Sequence, residues 1–183
     1  MLWFILLTSA CGVAVVLGSV VKKFALARGI VDVPNNELKI HKQPTALLGG
    51  AAVYLAFMAT AWAASPLVLG KDVSLKALVA LTLGGALLMI GGYLDDKFHQ
   101  APWQQLAWAG AAAFVAVFGG IQVHNITNPL GGLIDLSSIA VWLPSLVSFL
   151  WLMGIMFTTK LLYGLDGLVS GIGAIGSLGI KKI

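Results

Sequence analysis

Residues 77–100 read ALVALTLGGALLMIGGYLDDKFHQ. An uncharged apolar run, 77–94, ends abruptly in two adjacent aspartates, Asp95 and Asp96. A helix that crosses the hydrocarbon core of a bilayer needs roughly 20 apolar residues, and this run has about that length. Similar uncharged runs occupy 2–21, 47–64, 101–123 and 136–159. A further run at 167–180 is short and Gly-rich, and the chain stops just after it at Lys181-Lys182-Ile183. A transmembrane β-barrel would need shorter runs with period-two alternation, which these lack. The sequence therefore predicts an all-α integral membrane protein: a polytopic helical bundle of about five complete transmembrane helices plus a truncated sixth, in a single membrane domain over 1–183.

Composition agrees. The 183 residues are 59% hydrophobic and 10% charged, with a mean hydropathy of +0.96. Soluble domains carry about 25% charged residues, so this chain could not cover a water-facing surface, and the lipid bilayer is its first partner. A pI near 9.3 would suggest nucleic acid in a soluble protein. Here the basic residues lie in short loops beside apolar runs, which is how membrane orientation is encoded, and no nucleic-acid partner is expected. Cys11 is the single cysteine and cannot form an internal disulfide. The first run lacks a basic start and a small-residue cleavage site and leads directly into Lys22 and Lys23, so it is expected to be a permanent anchor rather than a signal peptide.

The charges set a sidedness. Loop 22–46 holds Lys22, Lys23, Arg28, Lys39 and Lys42; loop 95–100 holds Lys97; loop 160–166 holds Lys160. Loop 65–76 holds Lys71 and Lys76, and loop 124–135 has no Lys or Arg. Seven against two puts the odd loops in the cytoplasm and the N-terminus outside, with Lys181 and Lys182 running mildly against the trend. On that topology HKQPT (41–45), DDKFH (95–99) and GLDGL (164–168) all reach one face of a cell membrane.

Each cluster has chemistry. An aspartate at the centre of a spanning helix costs roughly 2.5–3.5 kcal/mol, so Asp95 and Asp96 belong at the interface. Adjacent carboxylates about 5 Å apart repel by roughly 3 kcal/mol at an effective dielectric near 20. A divalent cation, or Lys97, would offset that, and Mg²⁺ favours one or two carboxylates with phosphate oxygens. A solvated acid pair at a helix end is the competing reading. In VDVPNNELKIHKQPTALLGG (31–50), Pro34 and Pro44 break any helix, and His41, Lys42 and Thr45 offer donors just before a helix begins. A basic loop leading into a helix N-terminus suits phosphate, although a plain basic anchor would account for the charges alone. Asp166 lies between glycines in LLYGLDGLVSG (161–171), where a turn with a helix N-cap is the simpler explanation. Asn125-Ile126-Thr127 matches a glycosylation acceptor by chance, and several of the six tryptophans lie near the ends of runs, as in an aromatic belt.

Taken in order, these clusters resemble the polyprenyl-phosphate N-acetylhexosamine-1-phosphate transferase family. VDVPNNELKIHKQPTALLGG is similar to its first cytoplasmic loop, GGYLDDKF to its aspartate pair and KLLYGLDGLVSG to its N-x-x-D-G-x-D-G-L segment. HKQPT resembles the bacterial GlcNAc-1-phosphate transferase branch more than the muramyl-pentapeptide branch. Lys160 stands where the family usually has Asn, Tyr163 where it has its first Asp, and Ala46 where it has a second Pro. The chain matches the N-terminal half of the family pattern, ending before the later G-D-x-G-S aspartate and a His-rich loop.

The resemblance implies transfer of a sugar-1-phosphate, GlcNAc-1-phosphate for this branch, from a cytoplasmic UDP-sugar to a membrane polyprenyl (undecaprenyl) phosphate, with release of UMP. It implies Mg²⁺, with Mn²⁺ as an alternative. Asp95 and Asp96 would be catalytic, with Asp95 deprotonating or orienting the lipid phosphate. Asp96 and Asp166 would belong to the metal environment. His41, Lys42, Thr45, Lys160 and Asp166 would contact substrate. A homodimer is compatible with it, and the 183 residues alone are expected to be inactive. Three other readings compete. A membrane prenyltransferase would repeat its carboxylates along a helix, yet no acid follows Asp96 through Gln100. A CDP-alcohol phosphotransferase would show a longer spaced acid motif. A non-catalytic paralogue or transporter-like chain would be compatible with Tyr163.

Overall fold

The computed structural model describes residues 2–29, 31–32, 45–46, 49–68, 73–98, 100–128, 131–162 and 168–179. They fall into two compact units, Met1–Gly120 and Ile121–Ile183.

The first unit holds helix α1 (Leu2–Ala27), a two-residue ribbon of β1 (Val31–Asp32) and β2 (Thr45–Ala46), then helices α2 (Gly49–Val68), α3 (Leu75–Phe98) and α4 (Pro102–Phe118). The ribbon pairs antiparallel, Val31 with Ala46 and Asp32 with Thr45. It therefore holds the exit of α1 beside the approach to α2. Helix α2 runs antiparallel to α3. A Cβ on Gly50 would lie 3.9 Å from Met89 Cε, and one on Gly85 would overlap the Tyr54 ring. Further along, the Tyr54 hydroxyl donates to the Thr82 carbonyl at 2.7 Å and the Trp62 indole N–H donates to Thr82 Oγ1 at 3.0 Å. These bonds satisfy polar groups that lipid could not.

Small residues bring α3 and α4 together. Ala80, Gly84 and Gly91 of α3 and Ala109, Ala112, Ala113 and Ala116 of α4 are buried. The alanines recur at the i, i+3, i+4, i+7 spacing of one helix face. A Cβ on Gly84 would lie 3.2 Å from the Ala112 carbonyl oxygen; one on Gly91 would lie 2.6 Å from Trp108 Cγ. In water each helical glycine costs about 1 kcal/mol relative to alanine. Against lipid, where apolar burial gives helices little reason to associate, the close approach that glycine permits is what holds two helices together. Large apolar side chains stay on the outside: Val15 is 70% exposed and Phe57 is 56% exposed. A soluble protein would hide them, whereas a bilayer covers them.

The second unit opens with a hairpin, β3 (Asn125–Thr127) paired antiparallel with β4 (Leu133–Asp135), turning through Gly131 and Gly132 at φ 105° and 85°. A Cβ is strained at both values. Asp135 then caps α5 (Leu136–Ile139), accepting from the Ser137 N–H at 2.9 Å. Helices α6 (Leu143–Leu162) and α7 (Leu168–Gly179) follow. Buried Ser148 ties the chain before the hairpin to α6: it accepts from the Val123 N–H at 2.7 Å and donates to the Pro144 carbonyl at 2.6 Å.

The all-α membrane class is as the sequence predicted, with differences at the boundaries. Four helices among the described residues are long and apolar enough to cross a bilayer, over Leu7–Ala27, Gly49–Leu67, Leu75–Phe98 and Leu143–Lys160. Helix α4 has 17 residues, about 26 Å at the α-helical rise, and is shorter than a typical hydrocarbon core. The run expected at 136–159 is interrupted at 140–142 and resumes as α6 with Pro144 in its first turn, where the missing N–H costs nothing. The basic pair Lys22 and Lys23 rides on α1 rather than in a loop.

Candidate active site

Helix α3 does not stop where its hydrophobicity stops. It continues through Phe98, so Asp95 and Asp96 lie in its last turn and not in the loop expected at 95–100. Successive helical residues point about 100° apart, so the two carboxylates diverge. Asp95 is half-buried and Asp96 is exposed. Divergence relieves much of the repulsion expected of an adjacent pair and gives each carboxylate its own surroundings. Both stand near the negative end of the helix dipole, where an acid is typically disfavoured by about 0.3–1 kcal/mol. Local energetics alone would not select two acids there. Departures of this kind from local preference mark functional sites. Lys97, the expected counter-charge, places its ammonium 5.2 Å from the Phe98 ring centroid and 5.9 Å from that of Tyr93.

The turn into α4 is tight because Pro102 starts the next helix. Ala101 is the N-cap in an extended conformation, at φ −63° and ψ 148°, as the residue before a proline prefers. Alanine has no side-chain acceptor, so Gln104 caps in reverse, its Oε1 accepting from the Ala101 N–H at 3.0 Å. One turn into α4, Gln105 reaches back to α3. Its Nε2 donates to Asp95 Oδ1 at 2.5 Å and to the Gln100 carbonyl at 3.1 Å. The side-chain Oε1 of Gln100 is buried without a hydrogen-bond partner among the described residues. In the sequence Gln104 and Gln105 are simply two polar residues near the start of the apolar run 101–123; the antiparallel turn brings one of them onto Asp95.

Of the other expected site residues, Thr45 lies in β2. The ribbon precedes Gly50, and Gly50 lies against Met89, so the ribbon sits at the end of the first unit that carries Asp95. His41 and Lys42 lie outside the described residues, as do Tyr163 and Asp166. Lys160 is exposed in the last turn of α6, in the second unit. No group of three or more His, Cys, Asp or Glu side chains gathers among the described residues.

Comparison with known proteins gives the site a context. The model of the family described as glycosyl transferase family 4 matches residues 78–181, a stretch that includes both aspartates and Gln105. A probable undecaprenyl-phosphate N-acetylglucosaminyl 1-phosphate transferase of Bacillus subtilis is 26% identical over 162 residues, covering 88% of this chain and 42% of the relative. Decaprenyl-phosphate N-acetylglucosaminephosphotransferases of Mycolicibacterium smegmatis and Mycobacterium leprae are each 31% identical, over 87% and 84% of this chain and 39% and 41% of their own lengths. The chain thus spans about two-fifths of the length of these relatives. No solved structure matches it.

Proposed function

Because the chain belongs to glycosyl transferase family 4, we propose that it carries the acidic part of a site that transfers a sugar-1-phosphate, GlcNAc-1-phosphate by its relatives' names, from a UDP-sugar to a polyprenyl phosphate in the membrane. The single observation that carries this reading is the Asp95–Asp96 pair at an apolar helix end, one carboxylate held from α4 and the other exposed. In the reaction an oxygen of the lipid phosphate bonds to the phosphorus that bears the sugar. The bond from that phosphorus to the bridging oxygen breaks, and UMP leaves with that oxygen. Asp95 takes the proton of the lipid phosphate or fixes its orientation. Asp96 would help to hold the metal, with Asp166 as a further carboxylate. His41, Lys42, Thr45 and Lys160 are proposed phosphate contacts.

The donor chemistry fits Mg²⁺, or Mn²⁺ in its place, since such an ion is held by one or two carboxylates together with phosphate oxygens. When bound, the ion neutralises charge on the diphosphate. Two anions must meet in this reaction, so the chain's own contribution is chiefly to position them and to place charge where it develops.

The direct test uses the protein carried through to its relatives' full length, in lipid vesicles containing undecaprenyl phosphate. Added UDP-N-acetylglucosamine should yield UMP and a lipid-linked sugar diphosphate in equal amounts, only when Mg²⁺ or Mn²⁺ is present. Absence of both products from folded protein would leave the non-catalytic reading in its place.

We further propose that the aspartate end faces the cytoplasm with the N-terminus outside, on the strength of the seven-to-two bias in basic residues. With Cys11 replaced by serine and Asn36 by cysteine, an impermeant thiol reagent should label position 36 in inside-out vesicles and not in intact cells. Labelling from outside intact cells reverses the topology.

A further inference from the structure

We propose that Gln105 is a positioning residue for Asp95: its amide clamps the carboxylate to the α3–α4 turn and fixes its orientation. The inference rests on the catalytic reading of Asp95 above and adds a residue that acts through it.

Geometry assigns the role. The amide nitrogen of Gln105 has two hydrogens, and two acceptors lie within reach: the Gln100 carbonyl at 3.1 Å and Asp95 Oδ1. Turning the amide over would set its oxygen against both acceptors, so the partners themselves dictate that the nitrogen faces them. One N–H is held by a backbone carbonyl. That bond fixes the amide plane, and the fixed plane aims the other N–H at Oδ1. With Oδ1 so engaged, the carboxylate loses rotation about its terminal bond. Asp96, the next residue, is exposed. Neighbouring Gln104 makes a different bond, to the Ala101 N–H, which serves only to start the helix. It is therefore an internal control for what the turn needs structurally.

The expected results separate positioning from folding. Partners that orient metal-ligating side chains typically matter by 10–100-fold when removed, and on that scale Gln105→Leu should lower kcat for UMP release by ~10-fold or more. KM for both substrates should stay within about twofold, because the clamp orients a reacting group and does not hold either substrate. Gln105→Glu nearly preserves shape but exchanges both donors for acceptors, and should lose at least as much. Gln105→Met keeps the length and neutrality of glutamine without a donor and should lose as much as Gln105→Leu. Gln104→Leu should lower the melting temperature with kcat unchanged. In an Asp95→Asn background, Gln105→Leu should cost nothing further, since residues that act as one unit are not additive.

The inference is overturned if Gln105→Glu retains wild-type kcat, or if the Gln105 and Asp95 losses simply multiply. Should Gln105→Leu fail to fold, Gln105→Met still decides, because it keeps the length and neutrality of glutamine and lacks only the donors. A silent Asp95→Asn variant would instead sink the catalytic reading itself. An inactive Asp95→Asn beside a fully active Gln105→Glu would sink the positioning role alone.

Discussion

Asp95→Asn is expected to lower sugar-1-phosphate transfer by ~10²-fold or more while leaving the protein folded. Asparagine keeps the size of the side chain and an oxygen that can still accept from Gln105 Nε2, so the tether between α3 and α4 survives. What disappears is the negative charge and the capacity to take a proton. Asp96→Asn should cost a comparable factor for a different reason. Asp96 is exposed, so its loss should not disturb packing and should show as a higher Mg²⁺ requirement. Melting temperatures measured beside the rates separate chemistry from folding. If both variants transfer at the wild-type rate with an unchanged Mg²⁺ dependence, the pair is only a solvated helix end.

The second large effect is expected at Gly91. A Cβ there would lie 2.6 Å from Trp108 Cγ and 2.8 Å from its Cβ. Those atoms are near the Trp108 backbone and cannot swing aside as the tip of a flexible chain would. Gly91→Val should therefore push α3 from α4, at a cost of about 1–3 kcal/mol, the usual range for overpacking. It lies one turn before Asp95, so the same displacement should loosen the Asp95–Gln105 bond and lower transfer. Gly92→Val is the control, because a Cβ at Gly92 meets nothing within 4 Å. Melting in detergent should separate the two: a clear drop for Gly91→Val and little change for Gly92→Val. Equal melting temperatures would mean that the helices do not rely on this contact.

The amino-acid sequence by itself determined that the chain belongs in a membrane, because 59% apolar residues with 10% charge leave no soluble alternative. It located the long runs, with ends up to seven residues from those of the helices, and placed the Asp95–Asp96 pair at the end of one of them. It carried enough ordered motif to reach the family that the comparison then established. Three things needed the tertiary structure. Hydropathy marks where a chain leaves the lipid, not where a helix ends, so α3 could run on through both aspartates to Phe98 and separate their directions. Lipid is as apolar as a helix interface, so no hydrophobic pattern could tell the lipid-facing side of α3 from the side against α4. Contact alone showed that Gly84 and Gly91 admit α4 while Gly92 faces open space. Finally, Gln105 and Asp95 are ten residues apart in the chain, and only the turn set by Pro102 folds the amide of one onto the carboxylate of the other.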